Sequence, residues 1–325
     1  MKKLKILAAT ILFLFSTTSA FALGNPENWT FYIDTDFAYY PESKEMVNKN
    51  KTHFTPLTGI YSGVEARVTG NAEYKIPTPL GDHWLLNGAN VVLGSALEIS
   101  PVSIKPEARI KFSPVPFLVF SAGAQAGTGW NLLGIQGMSV YKNSSPENYT
   151  DSTPFASWFL KWWAQGTFQF DTGAVIPGDW THVVMLYSYQ VYYEKITSAE
   201  NQQTWNWQCT GDRVNGLKFY QNAIIAYEMP LVLHRAGLMA EADGYYKSSD
   251  YRNSKFKGDF ITYSINPLFQ FKLSEHTTLT TLLTFSTRRS YESLMDNDVP
   301  YAEYGNYTSR EWYFKRIVLS WNYTF

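Results

Sequence analysis

The sequence predicts an all-β chain, closed into a single antiparallel barrel of about twelve strands. Three observations carry this. Long segments alternate apolar with polar residues, the connections between them are short and long by turns, and aromatic residues gather where the segments end. Alternation with a period of two gives a strand one apolar face and one polar face. Of the 325 residues, 45% are hydrophobic, 17% aromatic and only 17% charged, so Trp, Tyr and Phe stand where a globular chain would carry charge. Twenty-seven Lys and Arg against 28 Asp and Glu leave a net charge of −1. That balance excludes a disordered chain, and it excludes a nucleic-acid partner, which would need a basic field. The single cysteine, Cys209, excludes an internal disulfide framework and a Cys-rich metal site.

Residues 1–22 read as a cleaved signal peptide, leaving residues 23–325 as one domain. Lys2, Lys3 and Lys5 form its positive start, Ile6 to Phe15 its apolar stretch, and Ala20-Phe21-Ala22 its cleavage site. The apolar stretch is too short to span a membrane, which takes roughly 20 residues. No later run is long enough for a membrane helix either.

The first alternating segment sets Trp29, Phe31, Ile33, Phe37 and Tyr39 against Thr30, Tyr32, Asp34 and Asp36. The second, 59–76, sets Val64, Ala66 and Val68 against Glu65, Arg67, Glu73 and Lys75. Segments 84–99, 102–112, 117–130 and 158–170 follow; in the fourth, Ile104, Ala108 and Ile110 oppose Lys105, Glu107, Arg109 and Lys111. Six more complete the count, marked by Val183 to Tyr193, Leu217 to Tyr227, Ala236 to Tyr246, Ile261 to Leu273, Leu279 to Phe285, and Ile317 to Phe325. An extra hairpin within 131–143 would make fourteen strands, and discarding two segments would make ten. Pro106 and Pro267 fall inside predicted strands, where they imply bulges or misplaced strand limits.

The connections set the topology. Short turns fall at Pro77–His83, Pro114–Pro116, Ile176–Thr181, Met229–His234 and Ser274–His276. Long polar loops fall at 41–58, 131–157, 198–214, 248–258 and 291–309, with one short exception near Ser100–Pro101. Segments of 11 to 18 residues, with Trp and Tyr at both ends, suit a tilted crossing of a bilayer better than a soluble sandwich. Brief periplasmic turns, extended outer loops and an even strand count place both termini in the periplasm.

The final stretch, Ile317-Val318-Leu319-Ser320-Trp321-Asn322-Tyr323-Thr324-Phe325, resembles the closing strand of bacterial outer-membrane β-barrel proteins, a porin-like superfamily. Such strands end in Phe, with an aromatic two residues earlier and apolar residues alternating behind it. The resemblance implies a place in outer-membrane lipid and insertion by the barrel-assembly machinery. It implies no particular solute.

With apolar faces turned to lipid, the intervening residues point inward. The candidate lumen lining is Asp34, Asp36, Arg67, Lys105, Arg109, Lys111, Lys161, Arg235, Glu241, Asp243 and Arg316. Lys105, Arg109, Lys111 and Arg316 suggest a basic stripe, while Asp34 and Asp36 are expected beside Arg67 and Arg316. So many ions need either mutual pairing or water. The expectation is a narrow passive channel for small hydrophilic solutes, with no cofactor or metal. A closed barrel acting through its loops is the alternative, and a hydrolase is a third class. His83, His182, His234 and His276 fall at short turns and only His53 in a long loop, which argues against an enzyme. The segment Trp205-Asn206-Trp207-Gln208-Cys209 is expected to pack over the mouth, and 131–157 is the candidate to fold inward or cap it, a surface loop of no special role being the equal alternative. Solute and oligomeric state are not legible.

Overall fold

The computed structural model describes residues 25–43, 54–55, 63–142, 149–208, 210–294 and 299–325. The predicted signal peptide, most of the 41–58 loop with His53, and Cys209 lie outside them.

Twelve strands form the barrel wall: β1 (Trp29–Tyr40), β2 (Gly63–Pro77), β3 (Asn90–Ser100), β4 (Ser103–Val115), β5 (Leu118–Gly129), β6 (Phe159–Asp171), β7 (Val183–Ile196), β8 (Gly216–Glu228), β9 (Leu233–Tyr245), β10 (Thr262–Lys272), β11 (Thr277–Tyr291) and β12 (Tyr307–Thr324). Each pairs antiparallel with its neighbours in sequence, and β1 closes the ring on β12 from Tyr32↔Thr324 to Tyr39↔Ile317. Closure leaves no strand edge open to water. Short turns meet at one end and long loops at the other, apart from the tight β3–β4 turn. Among the described residues, no helix is long and apolar enough to cross a membrane.

The period-two pattern sorts the two faces. Phe37, Val68, Leu93, Ile110, Phe120, Trp162, Phe168, Ile225, Leu238, Ile265 and Leu319 stand exposed on the outer wall. An apolar belt that encircles the molecule has no place in water and fits hydrocarbon. Aromatic pairs rim it. Tyr189 and Tyr246 share a hydrogen bond of 2.6 Å, and Trp162 stacks on Tyr193, near the loop end; Trp29 packs on Tyr74 at the turn end.

Three local expectations are corrected. Pro106 and Pro267 make neither bulges nor strand ends: Pro106 stays in register with Leu97, and Pro267 with Leu238. Each simply interrupts the ladder on its other side, where β4–β5 and β10–β11 resume in the same register. A proline can do this because it lacks one donor, not the ability to be extended. Residues 84–89 belong to the turn, and β3 begins only at Asn90. The 131–143 segment adds nothing to the wall. Instead Met138–Tyr141 joins Tyr149–Asp151, Trp205–Trp207 and Thr210–Arg213 in a separate four-stranded sheet.

That small sheet sits inside the mouth. Phe159 and Ile196 point inward from β6 and β7, and Met138, Val140, Trp205 and Trp207 pack on them as one buried cluster. Phe159 stacks on Trp207 with ring centroids 4.6 Å apart. A second cluster, with Val214, Tyr245, Tyr251, Phe256, Tyr291 and Ala302, fills the opposite side. Polar links join the loops: Tyr141 to Tyr304 at 2.8 Å, and the Thr204 hydroxyl donates to Glu303 at 2.6 Å.

At the turn end His182 Nδ1 meets Asp171 Oδ2 at 2.7 Å. The hydrogen bond to this carboxylate raises the His182 pKa above the ordinary histidine value. Stability from such a shift is fully present below the ordinary value and is lost as pH rises through the raised one. An NMR titration should therefore place His182 above the ordinary histidine value, and Asp171→Asn should abolish that displacement. Equal midpoints in both proteins would show the contact to be absent in solution.

Candidate functional site: the charged lumen

The lumen is built by register. Across successive strands Glu73, Gly94, Arg109, Gly123, Trp163, Tyr192, Lys218 and Tyr245 are each opposite the next, a continuous row that climbs around the wall. Large and minimal side chains alternate in its first half for a steric reason. A Cβ on Gly94 would lie 2.9 Å from Arg109 Cγ, and one on Gly123 would lie 2.7 Å from the Trp163 ring. The missing side chain at Gly94 lets Arg109 lie across β3 and reach β2 and β1.

Arg109 is the hub. Its Nη2 donates to Glu73 Oε1 at 2.7 Å, to the Tyr32 hydroxyl at 2.8 Å and to Asn71 Oδ1 at 3.1 Å; its Nη1 donates to Glu107 at 3.1 Å. Tyr32 in turn donates to Glu73 at 3.0 Å, and Lys111 Nζ reaches the same oxygen at 2.8 Å. Gln125 holds the other oxygen of Glu107. Nearer the loop end, Arg67 pairs with Asp36 at 2.7 Å and stands 3.8 Å from Glu98, and Lys105 pairs with Glu98 at 3.1 Å.

The predicted basic stripe is therefore corrected: Lys105, Arg109 and Lys111 do share one wall, but each is matched by a carboxylate from the neighbouring strands. Arg316 sits apart from them and donates to the Tyr40 hydroxyl at 3.0 Å. Asp36 lies beside Arg67 as expected, whereas Asp34 accepts from Asn71 at 3.0 Å and Asn322 at 2.8 Å rather than meeting Arg67 or Arg316. The reason is the stagger of β1, which sets Asp34 opposite Thr69 and Asn322.

On the far wall Lys161 lies over the Tyr192 ring, 4.1 Å from its centroid. Glu194 pairs with Lys218 at 3.3 Å and with Arg213 of the mouth sheet at 3.5 Å. Arg235 pairs with Glu228 at 2.6 Å near the turn end. Glu241 accepts from Tyr220 and from Asn266, the latter at 2.7 Å, and Asp243 stands opposite Tyr220 and Thr262.

Two lumen residues escaped the sequence reading. Glu311, two residues past the long 291–309 loop, pairs inside with Arg288 at 2.9 Å. Lys315 is the extra residue where β12 shifts register between Thr284 and Phe285, and it lies within electrostatic reach of Glu65, Glu241 and Asp243. The signal was present. Trp312 and Phe314 keep the even spacing, but the next apolar residue on the outer face is Ile317, so the parity breaks between them.

Charged side chains beneath the mouth loops are the least exposed, although Arg67 nearer the loop end keeps 42%. Lys111 and Asp171 toward the turn end keep 35% and 39%, whereas Glu194 and Glu311 under the loops keep 3% and 0%. The mouth sheet causes this by bridging the walls: Gln208 Nε2 donates to Glu98 at 3.0 Å and Ser103 at 2.7 Å on one side, while Arg213 holds Glu194 on the other. Gly127 makes room for it, since a Cβ there would lie 2.8 Å from the Trp207 ring.

Gly94→Val should drive Arg109 off Glu73. Overpacking of this kind costs about 1–3 kcal/mol, so the temperature at which heat-modifiable gel mobility is lost should fall. An unchanged temperature would mean that Arg109 does not lie across Gly94.

These features define a class: a closed twelve-stranded antiparallel β-barrel with a lipid-compatible exterior, a charged interior and a loop-filled mouth. The chain is similar in structure to the KdgM porin (TM-score 0.36, 9% identity, covering 90% of this chain and 99% of that one). It is also similar to the beta domain of the Bordetella autotransporter BrkA (TM-score 0.40, 7% identity, 92% and 100%) and to an anion-selective porin from Comamonas acidovorans (TM-score 0.32, 9% identity, 91% and 98%). No protein-family profile and no curated protein matches the sequence.

Proposed function

We propose that this protein is an outer-membrane barrel that conducts small hydrophilic solutes passively through a narrow lumen. The observation that carries the reading is the charged lumen away from the mouth sheet, where Arg67, Lys111, Arg235 and Asp171 stay accessible among both signs of charge. A barrel wall has no packing need for ions left in contact with water, whereas a hydrated path uses them to hold and order solutes. On this reading the short turns face the periplasm, the loops face outward, and the mouth sheet sets the narrowest point. On this reading the protein moves its solute without a chemical step.

A second reading, a closed barrel acting through its loops, draws on the two buried clusters in the mouth. Single-channel conductance of the refolded mature protein in a planar bilayer separates them. Discrete, ion-selective steps support the channel. Silence from protein shown to be folded by heat-modifiable mobility supports the closed barrel.

A further inference from the structure

Lys161 is a lumen cation without a carboxylate of its own, and it stands directly under the mouth sheet. It is the first inward residue of β6 after Phe159, on which Trp207 stacks, and Trp163 is the next. Its cross-strand partners are Gln125 on β5 and Glu194 on β7. Both are engaged elsewhere. Gln125 donates to Glu107. Glu194 Oε1 takes Lys218 at 3.3 Å and the Tyr245 hydroxyl at 3.2 Å, and its Oε2 takes Arg213 at 3.5 Å. Among the described residues Lys161 forms no ion pair and no hydrogen bond; its ammonium rests on the Tyr192 ring, 4.1 Å from the centroid.

The surroundings leave a surplus of positive charge. The charged groups within electrostatic reach of Lys161 are Glu194 and three cations, Lys105, Lys218 and Arg213. Lys105 pairs with Glu98, while Lys218 and Arg213 divide Glu194 between them. Lys218 also approaches the Tyr192 ring, 5.5 Å from the same centroid. A ring face attracts an ammonium but does not cancel its charge. A half-buried ion of this kind is stabilised by a counter-ion. One step toward the turn end Trp163 covers Gly123, where a Cβ would lie 2.7 Å from the indole, so the ring lies against β5 beside the ammonium.

We infer that Lys161 is the docking point for the carboxylate of a small organic acid beneath the mouth sheet, with the Trp163 ring against its carbon chain. One unshared ammonium matches one carboxylate, and such a pair strengthens where water is scarce. The inference rests on the channel reading and narrows it: the favoured solute is a monoanion, held at the narrowest point.

The test follows the single-channel current of the refolded mature protein in potassium chloride at fixed ionic strength. Gluconate is added at millimolar concentration, or sorbitol, its neutral counterpart. Gluconate should interrupt the current in a concentration-dependent way, and sorbitol should not. Lys161→Gln should weaken the block at least about tenfold, the value of one charge-assisted hydrogen bond, and Lys161→Arg should keep most of it. Equal block of wild type and Lys161→Gln, or equal block by sorbitol, overturns the site. Stronger Lys161-dependent block by sulfate overturns its assignment to a carboxylate. A silent barrel overturns the channel reading alone. The site is then read from the unfolding temperature in detergent, which gluconate but not sorbitol should raise in wild type and not in Lys161→Gln. No such difference overturns the site as well. Should Lys161→Gln fail to fold, Lys161→Met, which keeps the stem, takes its place, and without either the wild-type difference between gluconate and sorbitol decides.

Discussion

Replacing Glu200–Arg213 with a short Gly-Ser linker should multiply the single-channel conductance of the refolded barrel several times over. The segment removed holds both Trp residues of the mouth cluster, Gln208 on Glu98 and Arg213 on Glu194. Its loss opens the lumen between β3 and β7. The wall should survive, because Asn215 stays to accept from the Ile196 amide at 3.0 Å and to hold the strand ends, and Lys218 still neutralises Glu194. The cost is Phe159 and Ile196 bared to water, so some stability is lost. Trp205→Ala tests the same plug more gently: a fully buried Trp removed leaves a cavity worth about 3–5 kcal/mol, and the mouth should loosen before the wall does. Conductance unchanged in the folded deletion would locate the narrowest point in the wall charges below.

The second large effect concerns those charges. Lys105→Gln, Arg109→Gln and Lys111→Gln together leave Glu73, Glu98 and Glu107 facing the lumen without these cations, Glu98 keeping Arg67 at 3.8 Å. The reversal potential in a salt gradient should shift strongly toward cations. The Glu triple variant should shift it further, but at a heavy cost in folding. Each new carboxylate would meet an old one across the ladder, and breaking the Arg109 pairs alone leaves buried ions that cost roughly 3–5 kcal/mol. The Gln variant is therefore the cleaner measurement. A reversal potential that does not move in folded protein would take these three residues out of the conduction path.

The two effects separate two layers of the design. On the proposed reading, residues of the lumen wall set which ion passes, and residues of the mouth set how much passes. Selectivity without a conductance change, or the converse, is the pattern expected of point variants in either layer.

Much of this was written in the sequence because a strand's side chains alternate regardless of context. The apolar face of Val64, Ala66 and Val68, and the inward face of Lys105, Glu107, Arg109 and Lys111, follow from period two alone. Turn and loop lengths then order the strands, since an antiparallel neighbour needs only a tight connection. What alternation cannot supply is register. Whether Asp34 meets Arg67 or Asn71 depends on a stagger of two residues between strands, and the inward turn of Lys315 depends on one extra residue in β12. The mouth sheet was harder still. Met138–Tyr141 and Trp205–Trp207 come from different loops, and each is too short to signal a strand by itself. They become strands only because the inward faces of Phe159 and Ile196 offer an apolar floor on which both can be buried. Local pattern determined the wall and which way it faces; the pairings within the lumen and the filling of its mouth were decided by distant residues brought together when the ring closed.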